Sequence, residues 1–134
     1  MRRVADSDVE FPQVHPALVG QQTRWLVMAA ASSVPRTDGR APLLEAVQLL
    51  DTHSGRVRQW DHGPHCIAEE HVCVPKPGRS GELDTWLLGT CFDARRQATV
   101  LNLLDTARLE DGPVAQAVLP CALPLGFHGH FSPG

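Results

Sequence analysis

The chain has 134 residues, 43% of them hydrophobic, enough for one globular domain or a piece of a larger one. Its 12 basic and 15 acidic residues leave a formal charge of −3, so electrostatics makes no case for nucleic acid or an anionic membrane as partner. The arginine pairs Arg2-Arg3 and Arg95-Arg96 are expected to face solvent.

No apolar run approaches the roughly 20 residues of a membrane helix. Asp6, Asp8 and Glu10 follow the leading arginines, where a secretory segment would be apolar. A cytoplasmic protein is the expectation. Cys66, Cys73, Cys91 and Cys121 contain no CxxC pair, and reduced, mostly buried thiols are expected.

Residues 1–9 read as a polar tail. Pro12 and Pro16 keep the next stretch extended and argue against a helix there. RWLVMAAA is short and runs into the breaker-rich SVPRTDGRAP, which favours a strand. LLEAVQLLDTHSGRVRQWDHG reads as a hairpin, with a turn from Asp51 to Gly55 in which the glycine takes positive φ, and a second run ending in Trp60. CIAEEHVCVPKPG is a further run, ended by Pro75, Pro77 and Gly78. TWLLGTCFDARRQATVLNLLD repeats the hairpin format around Asp93, TARLEDGP forms a helical turn or loop, and VAQAVLP is a last strand. About eight short strands joined by Pro/Gly-rich loops make an all-β chain with hairpins at blade-like spacing. At about 40 residues per blade the length predicts about three propeller blades. A sandwich is also compatible with the periodicity.

His62, His65, Cys66, His71 and Cys73 lack the second compact ligand pair of a zinc site, so solvated loop histidines and core cysteines are expected. His128-Gly129-His130 would put two histidines on one strand face, as in the HxH of cupins, but the usual downstream glutamate is missing. HExxH, GxSxG and phosphate-loop motifs are absent, which removes the hydrolases and nucleotide binders they define. Glu10 and Glu70 border apolar runs. A carboxylate there is either solvated rim or the acceptor of a ligating histidine's Nδ1 proton, which leaves Nε2 for a metal.

Five blocks carry a resemblance. EFPQVHPALVGQQTRWLVMAA, LLDTHSGRVRQW, EEHVCVPKPG, DTWLLGTCFDARRQATVLNLLDT and VAQAVLPCALPLGFHGHF resemble, in order and spacing, the C-terminal portion of the carotenoid cleavage oxygenases, the family that includes the lignostilbene dioxygenases. The blocks run from Glu10 to Phe131. The resemblance implies a polar tail over residues 1–9 and, over residues 10–134, the last blades of a seven-bladed β-propeller, incomplete as given.

That family implies one Fe(2+) held by four histidines on the propeller axis, with O2 as co-substrate. The implied reaction splits a conjugated C=C bond of an apolar carotenoid- or stilbene-type substrate into two carbonyl products. By the same resemblance His128 matches the fourth iron ligand and Glu70 the carboxylate that orients it. Glu10 would orient a histidine of an earlier blade, and Phe127 and Phe131 would line an apolar pocket.

The other three histidines and a third glutamate have no match here, and His15 falls where the family has no ligand. His71 and Cys73 stand where proline and phenylalanine are usual, and a place peripheral to the metal is expected for His71. The implied partner is the set of missing N-terminal blades, or a complementing chain. The alternatives are a non-catalytic fragment or structural remnant, one half of a split enzyme, and, as an outsider, a small cupin-like or lectin-like β domain. Peripheral membrane contact is compatible with the family but not indicated by these residues.

Overall fold

A computed structural model describes residues 8–32 and 43–132. Residues 1–7 of the expected tail and the breaker-rich loop, residues 33–42, lie outside the described residues. Among the described residues, eight strands form two four-stranded antiparallel sheets, each a meander in chain order. The first holds β1 (Val9–Gln13), β2 (Trp25–Ala31), β3 (Leu44–Asp51) and β4 (Val57–Asp61). The second holds β5 (Cys66–Pro75), β6 (Thr85–Asp93), β7 (Ala98–Asp105) and β8 (Pro113–Val118). The all-β expectation holds, with the count corrected to two blades. Each sheet with its loops uses more chain than a minimal blade, and the described residues after Val118 form no strand.

The local reasons follow from the sequence. Along β6, Thr85, Leu87, Gly89 and Cys91 are buried and alternate with half-buried neighbours, the period of a strand packed more deeply on one face. In the β3–β4 turn, the Asp51 carboxylate accepts from the backbone N–H of His53 and from the hydroxyl of Ser54. Gly55 takes φ 73°, as that turn requires. The expectation against a helix near Pro16 is corrected, because Pro16–Leu18 forms a single 3-10 turn. Proline suits its first position, where its fixed φ fits and its missing N–H is no loss. The His15 ring accepts from Ala17 N–H and caps the turn. TARLED is likewise a 3-10 segment, Thr106–Asp111.

The core lies between the sheets. Val27, Val47 and Leu49 of the first meet Cys73, Leu87 and Leu104 of the second and Leu109 of the 3-10 segment, with Trp25, Trp60 and Leu83 packed at the margin. Each fully buried side chain of this size contributes about 1.5–3 kcal/mol. Glu82 ties the loop before β6 to β2, its Oε1 accepting from the backbone N–H of Arg24 at 2.7 Å and of Trp25 at 2.6 Å. All four cysteines are free. Cys73 and Cys91 are buried, Cys66 is half-buried and Cys121 is exposed. Arg95 and Arg96 are exposed, as expected. Among the described residues no helix is long and apolar enough to cross a membrane.

After β8 the chain leaves the sheet. Leu119 N–H donates to Thr99 O at 2.9 Å, and Leu123 N–H to Thr99 Oγ1 at 2.9 Å. These bonds start the terminal segment on a course across the sheet toward β5.

Candidate functional site

The site is built on two β-bulges. Between Ala68, paired with Cys91, and His71, paired with Gly89, strand β5 uses three steps where β6 uses two. The extra residue falls at Glu69-Glu70 and breaks the alternation that would send neighbouring side chains to opposite faces. Both carboxylates therefore reach the terminal segment. Glu69 accepts from Gly126 N–H at 2.5 Å with one oxygen and from the Thr90 hydroxyl with the other. Glu70 Oε2 accepts from Gly129 N–H at 2.6 Å. Its Oε1 accepts from His128 Nδ1 at 3.2 Å and from Gln13 Nε2 at 2.6 Å.

The second bulge is in β1. Glu10 pairs with Ala29 and Gln13 with Val27, again three steps against two. Phe11 absorbs the distortion with φ 56°, a left-handed conformation uncommon outside glycine. Its ring stands edge-on to His128, with centroids 5.7 Å apart and planes at 88°. Residues from the edge strand of one sheet, the first strand of the other and the terminal segment thus converge on one imidazole.

The electrostatics favour one tautomer. The Glu70 side chain is 5% exposed and that of His128 is 77% exposed. Burial alone would push the Glu70 carboxyl up, but donation from Gly129 N–H, His128 and Gln13 outweighs it and holds the group below its ordinary value. An ionised carboxylate can only accept, so His128 presents Nδ1–H to it, and in the uncharged form of the ring that is the Nδ1–H tautomer. Nε2 is then left with a free lone pair on the exposed side of the ring. That is the state in which histidine ligates a metal.

Phe127 and Phe131, expected as pocket-lining residues, do line a cavity of about 230 Å³ together with Glu69, Glu70 and His128. Both are exposed, at 76% and 41%. A larger apolar cavity of about 780 Å³ adjoins it, walled by Pro12, Val14, Val72 and Val74 and meeting it at Gly129 and Phe131. Glu10 stands apart, exposed on β1 opposite Ala29. His130 shares the cavity lining, but residues 128–130 are not a strand, so the two histidines do not form the shared strand face of a cupin HxH, which the sequence already disfavours.

The histidine–cysteine cluster needs correction. His65 is exposed as expected, whereas His62 is half-buried and His71 is 2% exposed inside β5. The His71 ring fits because residue 89 is glycine, where a Cβ would stand 2.5 Å from its Cγ. Nδ1 of His71 bonds to Glu69 O at 2.9 Å and the ring lies 5.4 Å from that of His62. Burial, reinforced by His62, lowers its pKa to about 3, so it is neutral. His71 does not line the cavity around His128. Among the described residues no group of three or more His, Cys, Asp or Glu could hold a metal ion. The donor set therefore fits one ligand position with its orienting carboxylate, not a whole metal centre.

Glu69, Gln13 and Phe11 were missed from sequence. The doubled Glu69-Glu70 was a signal, since two adjacent acids in an apolar run demand a bulge or two partners. Nothing in EFPQV marked Gln13.

Comparison with known proteins matches residues 2–133 to the family described as Retinal pigment epithelial membrane protein. The apocarotenoid-15,15'-oxygenase of Synechocystis sp. is 34% identical over 123 residues, 92% of this chain and 24% of that protein. The lignostilbene-alpha,beta-dioxygenase isozyme III of Sphingomonas paucimobilis is 32% identical over 92% of this chain and 26% of its own length. The crystal structure of cobalt-substituted Synechocystis ACO superposes with a TM-score of 0.85 at 29% identity, over 96% of this chain and 26% of that one. The chain thus spans about a quarter of the length of the relatives it matches. With its two propeller blades and its order of sequence blocks, the chain belongs to the Retinal pigment epithelial membrane protein family, which takes in these carotenoid- and stilbene-type oxygenases.

Proposed function

We propose that this chain is the part of a non-haem Fe(2+) dioxygenase that supplies the last histidine ligand, His128, and the carboxylate that orients it, Glu70. The observation that carries the reading is the Glu70–His128 contact, which engages Nδ1 and leaves Nε2 free of that carboxylate on a largely exposed ring. One imidazole binds metals weakly and without preference for ferrous iron. The remaining ligands come from a part of the propeller outside this sequence. Glu10, exposed beside the β1 bulge, is assigned to orient one of them. The bound iron supplies activation of O2 for splitting a conjugated C=C bond into two carbonyl products.

The residues of this chain have three tasks in that reaction. Glu70 fixes the tautomer and direction of His128. Glu69 and Glu70 hold Gly126 and Gly129 by their backbone N–H groups, so the ligand rests on a strand rather than on a loose segment. Phe127 and Phe131, with the adjoining apolar cavity, offer an apolar surface that favours an apolar, conjugated substrate. The Synechocystis and Sphingomonas relatives carry names of apocarotenoid and lignostilbene oxygenases, which supports that substrate class. The four free thiols support a reducing compartment, and we place the protein in the cytoplasm.

The test is a chimera in which residues 8–132 replace the matching segment of the Synechocystis apocarotenoid oxygenase. Oxygen uptake with an apocarotenoid or stilbene is expected, with two carbonyl products, and is abolished by His128→Ala. A folded chimera whose turnover survives His128→Ala would refute the proposal.

A further inference from the structure

Glu70 Oε1 is one acceptor serving two donors. Gln13 Nε2 approaches it at 2.6 Å and His128 Nδ1 at 3.2 Å, while Gly129 N–H holds the other oxygen at 2.6 Å. A charge-assisted N–H···O bond is ordinarily about 2.7–2.9 Å long, so Gln13 has the strong bond and His128 the stretched one. Each donor withdraws electron density from the oxygen it shares, and a bond made by one weakens the other. The competitor is a neutral amide, and it is delivered by the β1 bulge, where Phe11 sits at φ 56° with its ring edge-on to His128.

We propose that Gln13 is a positioning residue that tunes His128: by taking the shorter hydrogen bond at Glu70 Oε1, it limits how strongly that carboxylate draws the Nδ1 proton. The inference rests on the reading of His128 as a metal ligand, because a more tightly held Nδ1 proton makes Nε2 a stronger donor to a metal. Gln13 then sets the strength of a ligand it never touches, from a strand of the other sheet.

The experiment uses the 15N-labelled 134-residue chain without metal, at about pH 8, above the ordinary histidine range near 6.5. Two-bond correlations from the ring carbon protons report the tautomer of His128 without relying on exchangeable protons. In Gln13→Met the ratio of the Nδ1–H to the Nε2–H tautomer rises several-fold over the unmodified chain. Gln13→Asn, whose shorter amide does not reach Glu70, gives the same rise and serves if the methionine variant fails to fold. A ratio that stays level or falls in a folded variant overturns the proposal. So does the absence, in the unmodified chain, of a nuclear Overhauser contact between the Gln13 side-chain amide and the His128 ring. With metal left out, failure of His128 to bind metal would sink the ligand reading alone and leave the tautomer result standing.

Discussion

Glu70 in β5 and His128 in the terminal segment are 58 residues apart in the chain, yet Glu70 Oε1 accepts from His128 Nδ1 at 3.2 Å. The other oxygen of the same carboxylate holds Gly129 N–H at 2.6 Å. One buried side chain thereby fixes both the backbone that carries the imidazole and the direction of the ring.

Glu70→Gln separates these two tasks. An amide offers one acceptor oxygen instead of two, so either Gly129 N–H or His128 Nδ1 loses its partner. Metal affinity of the chimera is expected to fall about 10–100-fold, the usual cost of removing an orienting carboxylate. Competition titration with Co(II) measures it, and unchanged affinity would contradict the role given to Glu70.

Gly89→Ala should damage the site from behind. The added Cβ would fall 2.5 Å from His71 Cγ and 2.6 Å from Glu70 O, and the backbone contact cannot yield. Overpacking of this kind costs about 1–3 kcal/mol. Urea denaturation is expected to register that loss, together with loss of the Phe11–His128 ring contact by nuclear magnetic resonance.

His71 makes stability depend on pH. Its folded pKa, about 3, lies below the 6.5 of an unperturbed histidine, chiefly through burial and then through His62. Between those values the unfolded chain binds a proton that the folded chain does not. The contribution is therefore complete above about pH 6.5 and is lost as pH falls toward 3, with a slope of at most about 1.4 kcal/mol per pH unit. Urea midpoints at pH 7.5 and pH 5 should differ in the unmodified chain and converge in His71→Leu. Equal slopes in the two proteins would contradict the assignment.

Leu87→Ala tests whether the two sheets share a core. Leu87 is fully buried among residues of both sheets. Its truncation should cost about 2–5 kcal/mol. A single cooperative transition at lower denaturant, followed at Trp25 and at Trp86, is expected. Separate transitions would mean that the sheets fold independently.

Much of the fold was legible because it rests on local patterns. The Asp51–Gly55 turn, the format around Asp93 and the proline stops after β5 mark strand ends by turn chemistry alone. Blade number was misjudged because it depends on how much chain each sheet consumes, which local signals do not carry. At the site, His128 and Glu70 could be matched to a family motif, whereas Gln13 and Glu69 could not. Their roles arise from two bulges, and a bulge alters side-chain direction by register, a relation between strands that one strand's sequence does not record. His71 was misread for a similar reason: the space it fills is created by Gly89 on the neighbouring strand.

The most direct test of His128 as a metal ligand is the visible absorption of the Co(II)-loaded chimera with the Synechocystis enzyme, whose own structure is known with cobalt bound. Ligand-field bands are expected with His128 in place, and His128→Ala should abolish them while the fold is retained. Bands of unchanged position and intensity in a folded His128→Ala chimera would contradict the assignment of His128 as a metal ligand.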